Sequence, residues 1–417
     1  MRKVLGTLGP VLLMFITILY KPIQAQNVPV GASGRFDLKN GDRVVFLGNS
    51  LFENDFQYGW LELLLTTRFP DRDVTFRNLG WSGDNVWGDG RSTFTNPPTA
   101  YQHLMQDITK AAPTIVFLAY GGVEAQEGQA GLSHFKEGLN NLLNKIDSLG
   151  AKTILLSTIP VVSSDTAVNV SKRNEDLALY STAIAQVASA RSKQFIDIYQ
   201  PIQEMSKKET IIENGVHLNE TGYFYLASVL EKGLRLKREK ETISITVSKH
   251  GPVTSSPAKI TDPGKDMTDF KFTIEEKFLP FSMPGAASSM AVNPTVLKIT
   301  GLKKGVYSLD IDDNQVFTAS SQRWEQGVEI KRGPSFIQAA EIRDMILKKN
   351  ELHFFQYRPI NETYIIGFRA YEQGKHVKDL EDQNILIKWL EGQIAIKRMP
   401  KKTVYKLSSL RQKVAGN

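Results

Sequence analysis

From Arg43 to about Lys240, short apolar runs alternate with helix-length stretches, and that alternation restricts the fold more than any other feature of the chain. The apolar runs are Val44–Leu47, Val74–Asn78, Thr114–Tyr120, Thr153–Ser157 and Gln194–Ile198. Between and after them lie helical patterns at Gly59–Phe69, Ala100–Ala111, Gly131–Leu149, Ser171–Arg191 and Glu220 to about Lys240. A strand covered on both faces reads as a continuous apolar run, and such strands alternating with helices make a parallel sheet. The expectation is an α/β region over residues 41–240, a three-layer αβα arrangement around a five-stranded parallel sheet.

Past Lys240 the pattern changes. Ile243–Val247 alternates as a half-buried strand does. Thr295–Ile299, Gly305–Ile311 and Gln315–Ala319 read as short antiparallel strands, with Asp312-Asp313-Asn314 in a hairpin turn. Phe336–Lys349 reads as a helix, and Leu352–Tyr357, Thr363–Arg369 and Thr403–Leu407 as strands. Residues 241–417 are therefore expected to be β-rich with one helix, and Val253 to Pro294 has no clear pattern. A length of 417 residues suits two such units.

The N-terminus carries Arg2 and Lys3, an apolar run from Val4 to Tyr20, and Lys21-Pro-Ile-Gln-Ala25. This is the pattern of a cleaved signal peptide over residues 1–25, so a secreted or periplasmic protein without stable membrane insertion is expected. The chain has no cysteine, which excludes a thiol nucleophile, disulfides and thiolate metal sites. Its net charge of +7 is spread out, and the Lys232–Lys240 and Lys397–Lys402 clusters are broken by apolar or acidic residues. A solvated surface follows, and no nucleic-acid partner.

The run Val44–Leu47 ends in Gly48-Asn49-Ser50. Ligands of open α/β sheets bind at the carboxyl edge of the strands, and glycine allows the tight turn that would aim Ser50 into a cleft. Ser50 is the candidate nucleophile. Other strand ends carry Asn78-Leu-Gly80-Trp-Ser-Gly83-Asp-Asn85, Tyr120-Gly-Gly-Val-Glu124 and Ser157-Thr-Ile-Pro160, and Glu213-Asn-Gly-Val-His217-Leu-Asn219 precedes the last helix.

In order and spacing these blocks resemble the SGNH/GDSL hydrolase superfamily over about 200 residues. Gly48-Asn49-Ser50-Leu51 stands at the first block, Gly83 at the second and His217 at the last. The strings NLGWSGDNVWG, GLSHF and NGVHLNETGY, with Tyr357–Gly374, further resemble exported bacterial members with a C-terminal extension. The resemblance implies a flavodoxin-like fold and ester hydrolysis by a serine nucleophile, with no cofactor and no metal. His217 would be the base, and the backbone N–H groups of Ser50 and Gly83 the oxyanion donors. His103, His134, His250, His353 and His376 match no block and read as structural or solvated.

The sequence departs from the family pattern at three positions. Asn49 stands where the family has Asp, with little chemical loss expected because it is not the nucleophile. Val123 stands where the family has an Asn that donates to the oxyanion. Asn214 stands where the family has the acid that orients the histidine. Glu213 would supply a carboxylate if the turn is offset; Glu124 and Asp84 are more distant alternatives, and a Ser–His dyad oriented by a backbone carbonyl is another. Trp81, Trp87, Arg91, Tyr120 and Glu124 are candidate substrate-binding residues, the tryptophans for stacking on sugar faces and Arg91 for an acidic or polar group. The polar string Arg358, Asn361, Arg369, Glu372, Gln373 is expected to fold back onto the catalytic region and border the cleft. The reading is an esterase of acyl, even acetyl, groups on a small-molecule or glycan ester; the alternative is a catalytically impaired SGNH-fold glycan-binding protein.

Overall fold

A computed structural model describes residues 35–91, 98–163, 169–236, 242–254, 257–264, 269–283, 291–292, 294–358 and 377–410. The expected signal peptide lies outside these residues. Five parallel strands form the first sheet: β1 (Asp42–Gly48), β2 (Val74–Asn78), β3 (Ile115–Ala119), β4 (Lys152–Leu156) and β5 (Gln194–Ile196). Their order is β2-β1-β3-β4-β5, with Val44 opposite Phe76 on one side and Ile115 on the other. This is the doubly wound order in which the sheet reverses direction between β1 and β3, opening a crevice at their carboxyl ends.

Successive side chains of a strand point to opposite faces, and the two cores sort accordingly. Val44 and Phe46 of β1, Ile115 and Phe117 of β3 and Ile154 and Leu156 of β4 enter one core; Val45, Leu47, Val116, Leu118 and Leu155 enter the other. Helices close both faces: α1 (Ser50–Asp55), α2 (Trp60–Arg68), α3 (Ala100–Ala111), α4 (Gly128–Ser148), α5 (Ser171–Ala190), α6 (Tyr199–Ser206) and α7 (Glu220–Gly233). Helix α7 ends at Gly233 rather than near Lys240. A short hairpin, β6 (Ile212–Glu213) and β7 (His217–Leu218), precedes α7.

Beyond α7 two sheets share a third apolar core that includes Ile243, Leu297, Phe272, Leu309 and Leu407. One sheet runs Ala258–Asp262, Phe270–Ile274, Thr403–Ser409, Val306–Ile311, Asn314–Ser320 in spatial order, all antiparallel. The other runs Val328–Ile330, Thr295–Thr300, Thr242–Ser248, Gly251–Thr254. Thr295–Thr300, expected as an antiparallel strand, pairs antiparallel with Val328–Ile330 but parallel with Thr242–Ser248. The Asp312-Asp313 turn is a hairpin with both residues at positive φ.

This region is less purely β than expected. Besides the short α8 (Ser321–Gln326) it carries two long helices, α9 (Pro334–Tyr357) and α10 (Val377–Lys397), where one was expected. Leu352–Tyr357, expected as a strand, is the last part of α9. Helix α9 returns to the parallel sheet: Ala339, Ile342 and Ile346 join the first core, and Lys349 Nζ reaches Glu62 Oε2 on α2 at 2.8 Å, both side chains buried. The expected strand Thr363–Arg369 lies outside the described residues. Among those residues no helix is long and apolar enough to cross a membrane.

Candidate active site

Asn49 Oδ1 accepts the Leu51 N–H at 3.1 Å and caps α1, so Ser50 is the first helical residue rather than part of an open turn. Gly48 admits no side chain, because a Cβ there would stand 2.4 Å from the Ala119 carbonyl oxygen of β3. This contact sets β1 and β3 close together just where the crevice begins.

A cleft of about 200 Å³ lies at that crevice. Asn49 and Ser50 form one wall, Tyr120, Gly122 and Val123 a second, Ser157 to Val161 with Arg173 a third, and Val216 to Leu218 a fourth. Ser50 and His217, separated by most of the parallel sheet in sequence, therefore face one space. Neither ring nitrogen of His217 has a hydrogen-bond partner among the described residues.

The histidine loop departs from the expected layout. Asn214 and Gly215 both have positive φ (51° and 77°), and Val216 N–H donates to the Glu213 carbonyl at 3.3 Å. Asn-Gly with positive φ at both positions is the preferred turn of a tight hairpin. Asn214 is thus held at the turn by its backbone, while Glu213 pairs directly across the ladder from His217. Directly opposed residues project to the same side, with Cβ atoms about 5 Å apart. Asp84 and Glu124 are engaged elsewhere.

The second loop is clamped to α1. A Cβ on Gly80 would fall 2.1 Å from Glu53 N, so the loop backbone lies directly on the helix. The Glu53 carboxylate accepts Ser82 N–H and Ser82 Oγ–H, each at 2.8 Å, and Arg358 forms an ion pair with Glu53. Gly83 sits in that loop at φ +77° with open space around its Cα, but it is exposed and does not line the cleft.

Arg91 is completely buried and does not face a substrate. Its Nε donates to Asp84 Oδ2 at 2.8 Å, its Nη1 to Asp107 Oδ2 at 2.9 Å and to Tyr357 Oη, and its Nη2 to the Leu79 carbonyl at 2.9 Å. Tyr120 lines the cleft, but its Oη–H donates to Asp84 Oδ2 at 2.8 Å. Burial pushes the Asp84 carboxyl up while the Arg91 charge pulls it down. Glu124 accepts Val86 N–H at 2.9 Å and Gly121 N–H at 2.8 Å, tying the second loop to the end of β3; burial pushes its carboxyl up to about 7. Trp87 stacks on His134 at 4.6 Å, and the Trp81 ring lies under Arg358 at 4.0 Å. Neither indole lines the cleft. Of the five residues expected to bind substrate, only Tyr120 borders it; the others hold the loops.

Arg358 does fold back onto α1, as expected, but it does not border the cleft. Asn361, Arg369, Glu372, Gln373 and His376 lie outside the described residues. The remaining histidines, His103, His134, His250 and His353, do not line the cleft. Two cleft residues escaped the sequence reading. Arg173 donates from Nη2 to the Gly122 carbonyl at 2.6 Å, and burial lowers its pKa; no motif marks it. Asn49 was visible as a departure from the family pattern but was given no role.

Residues 46–224 match the GDSL-like lipase/acylhydrolase family. This region belongs to that family. Acyl-ester hydrolysis is accordingly its activity class. A solved gut microbial diltiazem-metabolizing enzyme, BT4096, is 19% identical and superposes with a TM-score of 0.73 over 90% of this chain and 99% of its own. At that identity the likeness is one of fold, and it extends through the C-terminal region. Axe2, an acetylxylan esterase from Geobacillus stearothermophilus, is 15% identical, with a TM-score of 0.39 over 48% of this chain and 98% of its own. No curated protein matches the chain in sequence.

Proposed function

We propose that the chain is a serine esterase that removes short acyl groups from a polar or carbohydrate ester. The observation that carries this reading is the convergence of Ser50 and His217 on one cleft at the β1/β3 crevice. Ser50 Oγ attacks the ester carbonyl and His217 takes its proton, then returns it to the departing alkoxide. Water activated by His217 releases the acid from the acyl-enzyme. Glu213, opposite His217 across the hairpin, orients the imidazole once substrate is bound; Asn214 shapes the turn. The Ser50 and Gly83 N–H groups receive the oxyanion, which requires the Gly83 loop to turn inward by peptide rotation when substrate binds. A cleft of about 200 Å³ favours acetyl over long acyl chains. Export through a cleaved leader at residues 1–25 belongs to the same reading.

The test is hydrolysis of p-nitrophenyl acetate and of acetylated xylo-oligosaccharides by the mature protein, beside Ser50→Ala and His217→Ala. Turnover that both substitutions reduce to background is expected. Wild-type rates no faster than those of Ser50→Ala on every ester would overturn the reading.

A further inference from the structure

The nucleophile's sequence neighbour holds a donor that the fold leaves unused. Asn49 is only 9% exposed, and its Oδ1 is committed to the Leu51 N–H. That bond assigns the amide's orientation, because only the oxygen can accept it; the Nδ2 group must then point the other way. It points at the opposite wall of the cleft, where a Cβ built on Gly122 would stand 3.2 Å from Asn49 Nδ2. No acceptor among the described residues takes an Asn49 Nδ2 hydrogen. The residue is largely buried and this amide opens only onto the cleft beside the nucleophile, which is where an acceptor arrives with a ligand.

The surroundings restrict what that acceptor is. Val123, next to Gly122 on the facing wall, offers only methyl groups. Gly122 itself is pinned, its carbonyl occupied by Arg173 Nη2 at 2.6 Å. The wall facing Asn49 therefore neither accepts its amide hydrogens nor supplies a donor of its own from Val123.

We propose that the Asn49 side-chain amide is an oxyanion donor of this site. Its Nδ2–H binds the ester carbonyl oxygen as negative charge develops there during attack by the adjacent Ser50. The assignment rests on the esterase reading above. It gives Asn49 two jobs at once: Oδ1 caps α1 and fixes the side chain, and Nδ2, fixed by that cap, is preorganised for the transition state.

The test is Asn49→Asp and Asn49→Ser, assayed on p-nitrophenyl acetate. Both replacements are good helix caps, so Leu51 N–H keeps an acceptor and α1 is retained, as an unchanged melting temperature will register. Asp has no N–H, and the serine hydroxyl is too short to reach across. Loss of such a donor typically lowers kcat by about 10²–10³-fold. We expect a fall of that size in both variants with KM within a few-fold, and partial recovery on adding Val123→Asn to Asn49→Ser, which returns an amide from the facing wall. Wild-type kcat in Asn49→Ser overturns the assignment, whatever the charged Asp does. A change confined to KM also overturns it, because a transition-state donor acts on kcat. Ser50-dependent turnover with unaffected Asn49 variants sinks this assignment alone; no Ser50-dependent turnover in the wild type sinks the esterase reading and this assignment with it.

Discussion

Replacing Glu213 by Gln separates two assignments of the histidine's partner. The hairpin sets Glu213 directly opposite His217 with their Cβ atoms about 5 Å apart, so rotation of the two side chains on substrate binding brings a carboxylate oxygen to about 4 Å from the imidazole. At that distance a charge pair is worth about 1 kcal/mol in bulk water and about 4 kcal/mol at an effective dielectric near 20. Glu213 is exposed and His217 half-buried, so the working value lies toward the lower end. It corresponds to a loss of about tenfold in kcat, well short of the roughly 10⁴ seen where the orienting acid is buried. KM supplies the second readout: a group that positions the base acts on kcat, so KM in Glu213→Gln stays within a few-fold of wild type. Asn214→Gly serves as the contrast, because glycine accepts the positive φ at that turn and activity stays near wild type. Wild-type kcat in Glu213→Gln, with activity lost in Asn214→Gly, would refute the assignment and return the orienting role to Asn214.

Two further predictions concern the fold around the site. Lys349→Met strands the buried Glu62 carboxylate and should destabilise the protein by about 3–5 kcal/mol, whereas Lys349→Met/Glu62→Leu should lie close to wild type; denaturant titration of the three variants measures both. Burial raises the Asp55 carboxyl from 3.8 to about 8 and that of Glu124 from 4.5 to about 7. Across this window the folded chain binds protons that the unfolded chain has released, so stability falls as pH rises from about 4 to about 8. Melting temperatures from acid to mildly alkaline buffer should decline, less steeply in Asp55→Asn, and a rising curve would contradict the burial argument.

The parallel sheet was legible because each strand is covered on both faces, which leaves unbroken apolar runs between helices of clear period. Val74–Asn78 was bounded correctly on that basis. Leu352–Tyr357 was misread because aromatic residues favour strands locally, while packing decides otherwise: Phe354 stacks on Phe56 of the catalytic region at 4.8 Å. Helix α10 was missed because Leu386, Trp389 and Ile396 are exposed, which blurs the stripe made by Ile387, Leu390 and Ile394. The site was half legible. Ser50 and His217 could be found from their blocks, and the Asn-Gly turn that sets Glu213 opposite His217 was readable in principle. Arg91 was not: the partners that bury it, Asp84, Asp107 and Tyr357, come together only in the folded chain.

Strand Thr403–Ser409 lies between Phe270–Ile274 and Val306–Ile311, although it is made much later. During synthesis those two neighbours emerge and must wait, each with an open row of amides and carbonyls, while close to a hundred residues are added. At the usual pace of a ribosome the wait is on the order of ten seconds. Open strand edges recruit other chains, so the nascent protein passes through a vulnerable interval that the finished molecule no longer shows. Slower translation across α9 and α10, or a deletion that removes the late strand, would lengthen that interval or make it permanent, and yield would be lost to aggregation while the residues of the cleft were untouched.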